Sequence, residues 1–475
     1  MNGLILALDG VNQYFLSIAA ALLVLAAGAA FTVRFRAFYL LHPFRTLRAM
    51  PRGGAGQMLL SGGTVGGGNI SGVAVALTLG GAGAVFWMWV GAFVTMALKY
   101  AEIILGMLHR ETRGGKTVGG APYYIRDALG GGAAAFFAGL LVFDSVAVGG
   151  VIQSSAIAEA AAGLGVEPLV TGLLLSLAAA CIFFFGINLF GLSAVVVPVM
   201  AVGYIAASVA VIVFHAADLP AALASILDGA FRPAAATGGF VGFLLSPALR
   251  QGIVKGLFSN EAGCGTAAAA HAETKETVPA RQGLFGIFEV FCDTVLLCTL
   301  TALAILTSLG DDLTAYGAAG VRLCTAAFAT VFGDRAAPVM FAFVFLFAFA
   351  TIVAYGYYGM ASMRYFGDSR RARGIFLVFY CVAQLCGAVA APASVWTLSD
   401  TVICLLLFVN MAAVTVSAKE IFAAHDAFYA QIGKYAQSAS RMKSRCAASA
   451  KKESAISDSA MNSGEMPYFV QNRAK

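Results

Sequence analysis

The sequence predicts an all-α polytopic membrane protein with about 11 transmembrane helices, two of them broken at membrane depth. Three observations predict this. First, 60% of the 475 residues are hydrophobic and 11% are charged, with mean hydropathy +0.84, which excludes an ordinary soluble protein. Second, cations collect in alternate gaps between apolar runs, as the positive-inside rule requires. Third, two glycine-rich stretches, SGGTVGGGNISG (61–72) and GLFSNEAGCGT (256–266), interrupt otherwise spanning sequence. Hydrocarbon offers no partner to freed backbone groups, so unwound backbone there lines a cavity and can hold an ion or a zwitterion. The chain reads as a transporter.

The first apolar run, 14–33, has no basic segment ahead of it and is followed by Arg34, Arg36, Arg45, Arg48 and Arg52. A signal peptide has the opposite flanks, so this run is expected to remain as a span with the N-terminus outside. Residues 35–52 set Phe35, Phe38, Tyr39 and Leu41 beside arginines and read as an interfacial helix. Further spans are expected at 57–80, 83–108, 132–161, 167–188 and 192–214, then at 239–258, 282–308, 337–362, 374–390 and 395–416. The inner loops then hold Arg110, Arg113, Lys116 and Arg126, then Lys275 and Arg281, then Arg364, Arg370, Arg371 and Arg373. The outer loops hold only Arg232, Arg322 and Arg335, beside Asp218, Asp311 and Asp312.

The two breaks fall five spans apart, in spans of opposite direction, which is the trace of an inverted repeat. The expected organisation is an N-terminal span and interfacial helix (1–56), a five-helix unit (57–214), an extracellular loop (215–238), a second five-helix unit (239–416) and a cytoplasmic end (417–475). Within that end, 418–445 reads as another interfacial helix and the Ser-, Ala- and Lys-rich remainder as a disordered tail.

Other chemistries find little support. The net charge of +6 lies in short loop clusters and does not point to nucleic acid. Nine cysteines without a CxxC pair suggest buried, reduced thiols. GGKT at 114–117 imitates a phosphate loop, but Arg110 stands where its first glycine should be, and no HExxH or GxSxG motif occurs.

Each candidate residue has a plain structural reading beside a functional one. In the first break, Gly62/Gly66 and Gly68/Gly72 have the four-residue spacing of close helix contact. That spacing does not account for five glycines in seven positions beside Asn69, so Gly66, Gly67 and Gly68, with Thr64 and Asn69, read as site backbone and polar lining. In the second, Ser259 and Asn260 can turn the chain and offer oxygen ligands, and Phe258 can close over a substrate. A capped helix C-terminus is the alternative. Gln153 serves either an interhelical hydrogen bond or a ligand, and Thr351 either bonds back to its own helix or gives a hydroxyl to sodium. Tyr355 shares its face. Lys99 and Glu102 read as a mutual pair. Asp144, Glu289 and Asp293 are candidate coupling carboxylates, the last two able to share a proton or to meet Arg250 or Lys255.

Four runs, SGGTVGGGNISGVAVAL, GAVFWMWVGAFVTMALKYAE, GGAPYYI and GLFSNEAGCGTAAAAHAETKETVPARQG, resemble the alanine or glycine:cation symporter family, within the amino acid–polyamine–cation group, over about 57–416. The resemblance implies eleven helices, ten of them in the leucine-transporter-type five-plus-five inverted repeat, with one extra N-terminal helix. It implies sodium-coupled uptake of small neutral amino acids by alternating access. It also implies that backbone from Thr64 to Asn69, Gln153 and Phe258 to Asn260 contact the amino acid, and that Thr351 binds sodium with the first break at Gly66 and Asn69. The chain departs from the family pattern at Ala350, Ala354, Tyr355 and Met360, at Ser154 and Ser155, and at Cys264 to Thr266. Tyr355 takes the place of an indole that would wall the pocket.

The expected partners are a small neutral amino acid, sodium as coupling ion and the bilayer; no other cofactor and no nucleic acid is expected, and a monomer is. The expected location is a plasma membrane, of the bacterial inner-membrane kind, with the C-terminus cytoplasmic. The alternatives are a symporter driven by sodium or protons for a larger amino acid such as glutamine, a channel and a membrane nutrient sensor. Competition uptake, coupling stoichiometry and a signalling domain, respectively, would distinguish them.

Overall fold

Apolar sequence favours the helix in hydrocarbon because a helix satisfies its backbone within its own segment. The computed structural model describes residues 10–51, 66–113, 115–185, 189–236, 242, 246–316, 320–367, 369–390 and 392–431, and they are almost wholly helical. A π-turn leads into α1, Ser17–Arg34. Arg36 and Ala37 then take left-handed backbone, φ 56° and 44°. They turn the chain into two short helices, α2 (Phe38–Leu41) and α3 (Pro43–Ala49). The expected interfacial helix over 35–52 is thus two pieces, because Pro43 has no N–H with which to continue α2.

Next come α4 (Ser71–Gly80) and the long α5 (Gly83–Leu108). A hairpin, β1 (Glu111–Arg113) with β2 (Lys116–Val118), pairs antiparallel and leads to α6 (Ala121–Leu129). Helix α7, Gly131–Ala162, contains a π-segment at Ser145–Ile152. Then follow α8 (Pro168–Phe185), α9 (Leu189–Phe214) and α10 (Leu219–Ala236), the last within the stretch expected as a loop. Helix α11 (Pro247–Asn260) stops at the second break, which α12 (Ala268–Ala272) follows. Helix α13, Pro279–Leu309, has its own π-segment at Phe291–Cys298. Then come α14 (Gly320–Phe332), α15 (Ala336–Phe366), α16 (Arg370–Val389) and α17 (Pro392–Val416). Residues 418–431 are helical, and the expected tail lies outside the described residues.

Among the described residues, eight helices are long and apolar enough to cross a membrane, and 67–80 and 168–184 form shorter apolar helices. The outer faces are apolar too: Leu177, Val199 and Phe379 are 62%, 69% and 65% exposed, which water would penalise and lipid accepts. The protein is a multi-pass, all-α membrane protein. Its interior is close-packed, with Tyr204 of α9 stacked on Phe328 of α14 and set edge-on to Phe347 of α15. The eight described cysteines are unpaired.

The buried charges correct the sequence reading. Lys99 and Glu102 are neighbours on α5, yet each turns to the second break instead of to the other. Lys99 Nζ donates to the Asn260 carbonyl at 3.0 Å, and Glu102 Oε2 accepts from Gly265 N at 2.9 Å. Lys255 pairs with Asp400 at 2.7 Å, and Glu289 lies 3.2 Å from His271 Nε2. A helix fixes which residues share a face, but the neighbouring helix decides which of them meet.

Candidate functional site

The first break ends in extended backbone at Gly66 (φ −141°, ψ −164°), followed by a 3-10 turn over Gly67–Asn69 that runs into α4. Asn69 makes this possible. Its Oδ1 accepts from Gly66 N at 2.9 Å, and Ser71 Oγ donates to the Gly67 carbonyl at 2.8 Å. The glycines are required by close approach. A Cβ on Gly66 would strike Thr351 Oγ1, one on Gly67 would lie 2.5 Å from Gln153 Oε1, and one on Gly68 would lie 3.1 Å from the Phe258 ring. Thr64 lies outside the described residues.

The second break begins where Glu261 takes left-handed backbone (φ 53°) at the end of α11, as a helix C-terminus commonly does. Glycines at 263 (φ 86°) and 265 (φ 75°) extend the unwound stretch. Side chains replace the missing ladder. Asn260 Oδ1 accepts from Ala262 N at 2.9 Å, and Asn410 Nδ2 donates to the Gly263 carbonyl at 2.7 Å. Thr266 Oγ1 donates to Glu261 Oε2 at 2.6 Å, and the Tyr355 hydroxyl donates to Glu261 Oε1. The Lys99 ammonium sits on the Asn260 carbonyl at the end of α11, where the helix dipole favours a cation.

The two breaks meet at Asp293. Its Oδ1 accepts from Asn69 Nδ2 at 2.6 Å, and its Oδ2 accepts from Ser259 Oγ at 2.7 Å and Thr294 Oγ1 at 2.8 Å. The same Asn69 amide donates to the Asp293 carbonyl at 3.0 Å, and Thr301 Oγ1 donates to the Asn69 carbonyl at 2.8 Å. Asp293 is fully buried and lies in the π-segment of α13, a distortion that recurs at functional sites. It binds one residue from each break, a role its sequence neighbours do not betray.

The structure therefore brings Gly66 to Thr351, Gly67 to Gln153 and Gly68 to Phe258 and Ser259. Gln153 follows the π-segment of α7, is 2% exposed, and its Oε1 has no hydrogen-bond partner among the described residues. Thr351 Oγ1 donates to the Phe347 carbonyl at 3.1 Å and lies against Gly66. Tyr355 packs its Cβ on Gly149 while its hydroxyl is committed to Glu261. Asn260 spends its amide on Thr294 Oγ1 (3.0 Å) and on the turn. Asp144 is 2% exposed, and its Oδ1 has no partner among the described residues.

Sequence reasoning missed the wall beyond Phe258. Trp396 of α17 meets that ring edge-on at 4.8 Å, and Lys255 Nζ lies 4.4 Å above the indole while paired with Asp400. An aromatic near a helix start carries no mark of such a partner.

Chemically, the site offers hard oxygen donors in place of a metal cluster. No group of three or more His, Cys, Asp or Glu suited to a metal occurs among the described residues. Asp293, Ser259, Asn69 and Thr294 supply oxygens of the kind that hard cations take. Gly66 and Thr351 form a second oxygen-bearing contact. Helix α4 starts at the first break with its N-terminal N–H groups, and α11 ends at the second in carbonyls, so the breaks carry opposite partial charges.

The chain is similar to the sodium/alanine symporter AgcS of Methanococcus maripaludis, 35% identical over 356 residues, 71% of this chain and 75% of the relative. It is 31% identical over 405 residues to the amino-acid carrier protein AlsT of Bacillus subtilis, covering 82% of this chain and 84% of the relative. It is 33% identical over 363 residues to a Bacillus subtilis protein named a probable sodium/glutamine symporter, GlnT, with 76% and 75% covered. The sodium:alanine symporter family, a family of transporters and not of enzymes, matches residues 1–442. The chain belongs to that family.

Proposed function

We propose that the protein couples the entry of sodium to uptake of a small neutral amino acid, alanine or glycine, by alternating access. Eleven transmembrane helices carry it: an extra N-terminal helix and two five-helix units of opposite orientation, over 57–214 and 239–416. The protein works as a monomer in a bacterial plasma membrane, N-terminus outside and C-terminus in the cytoplasm. The meeting of both breaks on Asp293 supports this reading best, since one ion or proton there biases both broken helices at once.

In this mechanism sodium enters from outside and takes the Gly66 carbonyl and the Thr351 hydroxyl. A second cation replaces the hydrogen bonds on Asp293, with Asn69 turning its amide oxygen inward and Ser259 rotating its proton away. The substrate carboxylate meets the amides of Gly67 and Gly68, at the positive end of α4, and the sequence assigns Thr64 to substrate contact as well. Its ammonium faces Gln153 Oε1 and the end of α11 at Ser259, since Lys99 already holds the Asn260 carbonyl. Gly67 against Gln153 and Gly68 against Phe258 crowd the pocket and favour a small side chain. Rocking of one helix bundle against the other then opens the site inward.

Reconstitution in liposomes tests this. Radiolabelled alanine should accumulate under an inward sodium gradient; uptake indifferent to sodium would sink the coupling. The similarity to a relative named for glutamine supports a second reading, a larger amide substrate. Competition by excess glutamine stronger than that by glycine would favour it.

A further inference from the structure

A groove of about 400 Å3 runs between α2–α3 and the flank of α5 and α13. That volume lies within the range of small-ligand sites, roughly 300–1,000 Å3. Tyr39, Phe44 and Leu47 form one wall, and Phe93, Leu284 and Phe291 form the other. No residue assigned above to either break lines it. The groove is built and held. The Tyr39 hydroxyl donates to the Phe93 carbonyl at 2.9 Å, and Arg281 Nε donates to the Ala49 carbonyl at 3.2 Å. The left-handed pair Arg36 and Ala37 folds α2 and α3 back to make the first wall.

The lining is apolar but open, with Phe44 76% and Phe291 44% exposed. Arg36, Arg45 and Arg48 are exposed on the same segment, and 35–52 contains no acidic residue. An apolar cleft under a basic rim matches a molecule with an acyl chain and an anionic head. We propose that this groove binds one anionic phospholipid, its acyl chain between Phe44 and Phe291 and its phosphate on Arg45 and Arg48. A zwitterionic lipid would fill the same cleft with less gain from the arginines. A second copy of the chain would bring its own basic segment against this one. The site has a route to transport, because Phe288 and Phe291 belong to the helix whose next turn carries Asp293. A lipid seated there braces the π-segment that joins both breaks.

The test uses the full-length protein, stripped of lipid in detergent and then offered phosphatidylglycerol or phosphatidylcholine, with retention read by native mass spectrometry. Retention of phosphatidylglycerol over phosphatidylcholine is expected. The exposed double variant Arg45→Ala/Arg48→Ala should lose that preference by on the order of tenfold or more. The groove-filling variant Leu284→Trp should lose both lipids. Alanine uptake in liposomes should rise several-fold when a quarter of the phosphatidylcholine is replaced by phosphatidylglycerol, and the double variant should lose the rise while keeping uptake in phosphatidylcholine. Equal retention of the two lipids, or an unchanged preference in the double variant, overturns the proposal. So does cross-linking of Phe44→Cys between two copies, which would make the face a chain–chain interface. Lipid retention is read without transport, so a failure of alanine uptake would count against the proposed substrate and leave this site standing.

Discussion

Asp293 does the most at the scale of the residue, because three donors from different positions converge on one buried carboxylate. Asn in its place keeps the shape and some of the hydrogen bonds but removes the charge a cation needs. Asp293→Asn should therefore raise the sodium concentration for half-maximal alanine uptake about tenfold or more, with the protein still folded. Unchanged sodium dependence would take Asp293 out of the coupling. Gln153 invites a different experiment. Its unpartnered oxygen beside Gly67 predicts that Gln153→Ala weakens alanine binding by roughly 10- to 100-fold, the worth of a hydrogen bond to a charged group. Gly67→Ala should abolish uptake by pushing a methyl onto that oxygen, and adding Gln153→Ala should restore room but not affinity. Full binding by the Gln153→Ala variant, measured by calorimetry, would reduce Gln153 to an interhelical contact. The glycines were legible as points of close approach, because close approach explains their density, and the structure shows such contacts at Gly66, Gly67 and Gly68. Asp293 was legible as a candidate coupling carboxylate, with Glu289, Arg250 or Lys255 as expected partners; two of its actual donors, Asn69 and Ser259, lie 224 and 34 residues away in the chain.

Elements add constraints that no single side chain shows. Helix α11 is tied to α17 by the Lys255–Asp400 pair, whose side chains are 0% and 14% exposed. Leaving one member of such a pair alone costs roughly 3–5 kcal/mol, whereas replacing both by apolar groups is often neutral. Asp400→Asn should thus lower the thermal unfolding midpoint clearly, and Lys255→Met/Asp400→Leu should recover most of it. Equal losses in the single and double variants would mean that the elements are held by something else. Phe258 and Trp396 move with these helices, so the loosened variant should also show faster substrate release. At the hairpin end, the Arg126 hydrogen bond holds the Asp127 carboxyl below the ordinary carboxylate range, with His109 helping. A lowered folded value means that this contribution is present above the unfolded value, about 3.9, and is lost as pH falls through the folded one. Asp127 is 38% exposed, so Asp127→Asn should change stability by less than about 1 kcal/mol at neutral pH. A larger loss in a denaturation series would show a network stronger than its exposure allows.

The whole molecule is where the breaks acquire a common purpose. The 3-10 turn at Asn69 and the last turn of α11 at Ser259, far apart in sequence, share one carboxylate, and around them α5, α7, α13 and α15 supply Lys99, Gln153, Thr301 and Thr351. Alternating access predicts that this region faces outside in one state and inside in the other. A cysteine at Gly72, where a side chain would meet Phe258 at 3.4 Å and Trp396 at 3.7 Å, should report it. Against a background lacking the native thiols, Gly72→Cys should react with an impermeant reagent from outside in sodium alone and be protected several-fold by added alanine. Reactivity that ignores both sodium and alanine would argue for a static pore.

The sequence by itself determined the membrane class, most helix positions, the two breaks and the kinship, because hydropathy, cation asymmetry and glycine density are properties of neighbours along the chain. The tertiary structure decided the pairings. Lys99 left Glu102 for the Asn260 carbonyl, Lys255 found Asp400, Tyr355 turned to Glu261, and Asp293 joined Asn69 to Ser259. The physical reason is the solvent. In water a charge or amide can be satisfied locally, but inside a helix bundle its partner must come from whichever helix packs beside it.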